Sequence, residues 1–170
     1  MKRVLCLLLV ALMIAPGASA GTNNMYSSDN FFLYLPGEWE KSEENGAVVF
    51  LNDNERITIA EFYDEETSTF SKALSSLLGK TYYEALADVL SEQFIGAVSG
   101  DDIAIVSNEV IEERGKLIPI MIFQYEDMFA AGSFVIGDNY LMYVMYSNYT
   151  DDYIKVRSRV LEIMEYASTK

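Results

Sequence analysis

The sequence predicts an α+β domain around a mainly antiparallel sheet, with elements in the order β-β-β-α-β-β-β-β-α. Three observations predict it. Short runs of β-branched and aromatic residues recur between turn-forming pairs on both sides of the chain's middle. Two stretches, beginning near Thr69 and Thr150, instead place apolar residues at helical spacing. The later strands are joined by connections too short for crossovers, so they must run antiparallel.

Residues 1–20 stand apart from the fold. Lys2 and Arg3 precede an apolar run from Val4 to Ala15, and Ala18-Ser19-Ala20 supplies a small-x-small cleavage site. This is the pattern of a secretory signal peptide. A membrane span needs about 20 apolar residues, and Pro16-Gly17 ends the run sooner. Residues 21–30 (GTNNMYSSDN) read as a polar, flexible lead-in, and residues 31–170 as a single domain. A domain of roughly 150 residues buries roughly 68–70% of its unfolded surface, enough for an ordinary core.

Phe31 to Leu35 reads as the first strand, with an edge exposed for pairing between copies. Leu35-Pro36-Gly37-Glu38 fits a type II turn, in which Pro sets φ and Gly supplies the positive φ that follows. Glu40 to Gly46 reads as a charged loop. Ala47 to Leu51 and Arg56 to Phe62 form a hairpin through Asn52-Asp53-Asn54-Glu55. Thr69 to about Phe94 is helical: Phe70, Ala73, Leu74, Leu77 and Leu78 predict one buried face, with Gly79 at a C′ position. Helix then restarts at a Thr81–Glu84 capping box, with Tyr83, Leu86, Ala87, Leu90 and Phe94 on one face; a single kinked helix is the alternative.

Four strands follow, near 103–113, 117–125, 128–136 and 140–147, as a meander. Leu117 to Phe123 and Leu141 to Tyr146 are apolar on both sides, so the sheet needs cover on both faces. One cover is a last helix with Thr150 as N-cap, Asp151 and Asp152 in its first turn, and Tyr153, Val156, Val160, Ile163 and Ala167 as its stripe.

Pro36-x-x-Trp39 closing the first strand and Tyr146-Ser147 ending the last one before the helix, in this element order, resemble the PsbP-like family. That family includes the extrinsic P protein of photosystem II, a nuclear Ran-binding relative and many small secreted bacterial proteins. Its members often carry glycine directly before the Trp, where this chain has Glu38 after Gly37. The resemblance covers nearly all of residues 31–168. It implies a three-layer α/β/α sandwich and a binding or assembly role without catalysis, and it carries over no set of site residues.

Composition narrows function further. Without Lys2 and Arg3, ten basic residues face 26 acidic ones, a net charge of −16. Such a charge repels nucleic acid and anionic headgroups, and leaves divalent metals and basic protein faces open. The chain has no histidine, and its one cysteine, Cys6, lies in the signal sequence. Imidazole- and thiolate-dependent catalysis and the usual zinc or haem ligation are thereby excluded, and no cofactor is expected. Gly79-Lys80-Thr81 ends like a phosphate loop, but Leu74 stands where its first glycine belongs and a helix leads into it. Asn52-Asp53-Asn54-Glu55 resembles half of a Ca²⁺ loop without EF-hand spacing. Asn148-Tyr149-Thr150 spells a glycosylation sequon whose Thr also suits a cap.

The expected function is an exported, non-catalytic binding or assembly domain that docks on another envelope or secreted protein, one with a basic face. A small-ligand or Ca²⁺ binding protein is the alternative, and a hydrolase working through paired carboxylates comes third. The candidate contacts are the acidic residues Asp64, Glu65, Glu66, Asp101 and Asp102, with Trp39. Trp39 has two readings: folded back over the core at the sandwich end, or partly exposed as an interface anchor.

Overall fold

The computed structural model describes residues 24–63, 70–97, 103–148 and 150–170. Residues 1–20, read above as a signal peptide, and the five acidic candidates at positions 64–66, 101 and 102 lie outside the described residues. In chain order the elements are β1 (Met25–Ser27), β2 (Phe31–Tyr34), β3 (Glu40–Glu44), β4 (Ala47–Asn52), β5 (Glu55–Tyr63), α1 (Lys72–Leu78) and α2 (Lys80–Ala97). They continue with β6 (Ile103–Glu113), β7 (Lys116–Tyr125), β8 (Met128–Ile136), β9 (Tyr140–Asn148), α3 (Tyr153–Glu165) and β10 (Ala167–Thr169).

Seven strands form one sheet in the order β3-β4-β5-β9-β8-β7-β6, antiparallel throughout. Its central strands are apolar on both sides because both sides are covered. From β9, Met142, Val144 and Tyr146 join one core with Val156, Val160, Ile163 and Met164 of α3 and with Phe31 and Leu33 of β2. Leu141, Tyr143 and Met145 join the other, with Leu86, Ala87, Leu90 and Phe94 of α2. Each such side chain, fully buried, contributes about 1.5–3 kcal/mol. The three-layer arrangement is the expected one.

Several local expectations are corrected. The lead-in contains β1, and the charged loop contains β3, an edge strand whose only buried residue is Ser42. The hairpin turn between β3 and β4 is Asn45-Gly46, both at positive φ, the two-residue turn that matches strand twist. The strand at Phe31 is no free edge: β2 lies between β1 and β10 in a small sheet of its own.

The helical region is two helices. Ser71 caps α1 through the Leu74 N–H, and Gly79, at φ 56°, ends it by donating to the Ser75 carbonyl. α2 already includes Lys80, so Thr81 is inside the helix and not its cap. The predicted buried face of α1 is largely exposed: Leu74, Leu77 and Leu78 are 40%, 79% and 52% accessible, and only Ser75 within the helix is buried. At α3 the N-cap is Asp152, which accepts from the Lys155 N–H at 3.0 Å, while Thr150 accepts from the Asp152 N–H.

The Pro-Gly turn behaves as expected, with Gly37 at φ 104°. It turns Trp39 inward, where the ring is 1% exposed and its indole N–H donates to the Pro36 carbonyl at 3.1 Å. The Arg159 guanidinium lies over the ring, 5.8 Å from its centroid. The reading of Trp39 as cover for the core is therefore the structural one, and the partly exposed anchor is not.

Candidate binding groove

Pro119 sits in the middle of β7, an interior strand. Proline lacks the N–H that a ladder uses, so it is disfavoured wherever a strand has neighbours on both sides. On one side the ladder runs through the proline: Val110 of β6 pairs Pro119, and the pairing continues to Glu113 and Lys116. On the other side it stops. β7 pairs β8 from Tyr125↔Met128 to Met121↔Gly132 and no further, although β8 stays paired to β9 as far as Ile136↔Leu141. The sheet divides between residues 116–120 and 133–136. At the fork the buried Ser133 hydroxyl donates to the Pro119 carbonyl at 2.6 Å, replacing one backbone bond that the ladder no longer makes.

A groove of about 380 Å³ opens in this division. Lys116, Leu117 and Ile118 line it from β7, and Phe134, Val135 and Ile136 from β8. One wall is helical, formed by Lys72, Ser75, Ser76 and Tyr83, and the other comes from Met164, Ala167, Ser168 and Thr169 where α3 passes into β10. Tyr83 stacks on Phe134 with ring centroids 5.8 Å apart, and burial pushes its phenol pKa up, so it stays protonated as a donor. Ser75 and Ser76 both donate to the Lys72 carbonyl.

The groove's charge runs against that of the chain. Among the described residues no carboxylate lines it. Lys116 donates to the carbonyls of Glu165 and Ala167, at 2.7 and 3.1 Å, at the negative end of α3. Lys72 donates to the Thr169 hydroxyl at 3.3 Å. Both ammonium groups thus meet neutral oxygens, since the Glu165 carboxylate is engaged by Arg114. Its described residues make a surface of N–H and O–H donors over an apolar floor.

Neither a protein-family model nor a curated protein matches the chain. Among solved structures it is similar to the solution structure of cyanobacterial PsbP (CyanoP) from Synechocystis sp. PCC 6803, with a TM-score of 0.63 and 16% identity. The match covers 94% of this chain and 99% of that one. The fold is PsbP-like. A crystal structure from Bacteroides thetaiotaomicron overlaps 82% of this chain and 45% of its own, with 12% identity and a TM-score of 0.48.

Within the PsbP-like fold, Trp39, the one sequence candidate among the described residues, does not line the groove. Trp39 belongs to the core under α3, and the acidic candidates lie outside the described residues. In the Asn52-Asp53-Asn54-Glu55 loop, the Glu55 carboxylate is already held by the Tyr146 hydroxyl at 2.8 Å and by Arg159 at 3.2 Å. Among the described residues no group of three or more Asp, Glu, His or Cys is placed to hold a metal ion. Tyr143 and Tyr146 are core residues, Tyr140 packs on Tyr63 and Tyr153 on Phe129. Also among the described residues, no helix is long and apolar enough to cross a membrane. The groove residues were missed, although one signal for them was present: Pro119 inside a run that otherwise reads as a central strand.

Proposed function

We propose that the mature chain is an exported, non-catalytic binding domain that docks on another envelope or secreted protein. The observation that carries this reading is the groove in the divided sheet, which offers strand edges, donors and an apolar floor and, among the described residues, no acid–base pair. The signal-peptide pattern and the lack of histidine and mature cysteine support it, as does the binding or assembly role that resemblance to the PsbP-like family implies. The groove and the exposed α1 leucines beside it form the docking end, and the acidic residues 64–66, 101 and 102 remain candidate contacts for a basic partner face.

Crosslinking and capture of the tagged, processed protein in its own host tests the reading, run beside Ser76→Trp, which places a bulky ring on the helical wall of the groove. A stoichiometric protein partner held by the wild type and lost with a folded Ser76→Trp variant is the expected result. Absence of any protein partner overturns docking and favours the second reading, a small-ligand carrier. That reading is supported by the groove's volume, which lies in the range of about 300–1,000 Å³ typical of small-molecule sites.

A further inference from the structure

We infer that the groove receives an extended segment of a partner protein, added as a strand along the divided edges of β7 and β8, with an acidic side chain of that segment meeting Lys72 and Lys116. The inference rests on the docking reading above and specifies its chemistry.

The backbone makes the first part of the case. Residues 116–120 and 133–136 are each held extended by a full ladder on their far side, to β6 and β9 respectively. On the sides that face each other no ladder pair forms: the Ser133 hydroxyl bonds the Pro119 carbonyl at the closed end of the fork, and residues 116–118 and 134–136 line the groove beyond it. Unpaired edges of rigid strands are what strand addition uses: main-chain hydrogen bonds give affinity, and pockets for alternate side chains give specificity. The part of β8 that lines the groove, residues 134–136, spans about 10 Å at the usual strand rise, room for about three residues. A helix, about 10–12 Å across, satisfies its own backbone and leaves these edges unused.

Charge makes the second part. In a chain with a net charge of −14, the groove carries two lysines and, among the described residues, no carboxylate, and the hydrogen bonds these lysines make there go to neutral oxygens. An acidic occupant supplies the missing complement and is steered toward this end of an otherwise repellent surface. Between the lysines, Ile118, Phe134 and Ile136 provide the apolar floor for the side chains that alternate with the acidic one.

The test is selection from a random-peptide library displayed on phage against the processed protein, followed by hydrogen exchange with the enriched peptides made synthetically. The expected peptides are extended, alternate apolar with acidic residues, and slow exchange at the groove-lining edges, residues 116–118 and 134–136. Replacing their acidic residue by Lys, or mutating Lys72→Glu, lowers affinity about tenfold or more. Glu is favoured in the first turn of a helix, so Lys72→Glu keeps α1 folded. Ser76→Trp abolishes binding. The inference is overturned if no peptide is enriched, or if enriched peptides bind without protecting the two edges. A partner captured from the host equally well by wild type and Ser76→Trp keeps docking and removes the groove, so the two readings fail separately.

Discussion

The Ser133 hydroxyl donates to the Pro119 carbonyl at 2.6 Å, at the fork where the seven-stranded sheet divides. Beyond that bond β7 and β8 part and the groove begins. Ser133 is fully buried, and removing it leaves the Pro119 carbonyl without this donor. Ser133→Ala is expected to cost about 1–3 kcal/mol, read from the shift of the denaturant midpoint at constant m-value. An unchanged midpoint means that the fork holds without the bond.

Pro119→Val is expected to restore a ladder N–H and let pairing extend toward Ile118 and Val135. Hydrogen exchange then slows at residues 116–120 and 133–136 in the free protein, and the selected peptides lose affinity. Equal exchange in both proteins means that proline is not what divides the sheet.

Trp39→Ala removes a ring that is 1% exposed and packed under Arg159. The expected loss is about 3–5 kcal/mol. Trp39 is the only tryptophan, so its fluorescence reports global unfolding of the wild type, and circular dichroism follows the variant. A loss within about 0.5 kcal/mol, the range of ordinary surface substitutions, contradicts its place in the core.

Gly132 faces Tyr143 so closely that an added Cβ meets the phenol oxygen, with the Met121 methyl also in contact. Gly132→Ala is expected to destabilise by about 1–3 kcal/mol through overpacking. Pairing it with Tyr143→Phe removes the oxygen, so the double mutant recovers part of the loss relative to the sum of the single changes.

Tyrosines set the alkaline limit. Burial pushes up the phenol pKa values of Tyr26, Tyr143 and Tyr146, with a further upward push on Tyr26 from the Glu61 carboxylate that accepts its proton at 2.6 Å. Unfolded tyrosine titrates near pH 10. Their contribution is therefore fully present below about pH 10 and is lost as pH rises from there toward the folded-state values. Denaturant midpoints measured from about pH 8 to about pH 11 should hold steady and then fall, and Tyr143→Phe should flatten the fall. A fall equally steep in that variant removes Tyr143 from the cause.

Leu77 tests the face of α1 that periodicity misread. A Leu77→Ser change at a core position costs several kcal/mol, but at 79% exposure it should stay within about 0.5 kcal/mol. The sequence stripe Phe70, Ala73, Leu74, Leu77, Leu78 is real, yet periodicity reports that a helix has an apolar face and not whether anything lies opposite it. Strand β3 failed in the other direction. Glu40–Glu44 carries no apolar alternation, and only its backbone pairing to β4 makes it a strand; the Asn45-Gly46 turn was the legible clue.

The three-layer class came with the family resemblance, whereas the element order of the meander, the helix under which Trp39 lies and the chemistry excluded by having no histidine and no cysteine beyond Cys6 were readable in the residues themselves. These follow from local periods, turn residues and composition, each readable within a few neighbours. Long-range packing alone reveals that Phe31 lies mid-sheet, that the α1 leucines face outward and that the sheet opens beside Pro119. A missing N–H disrupts only the ladder toward which it would have pointed, and which neighbour stands there is set by strand order, which no single strand encodes.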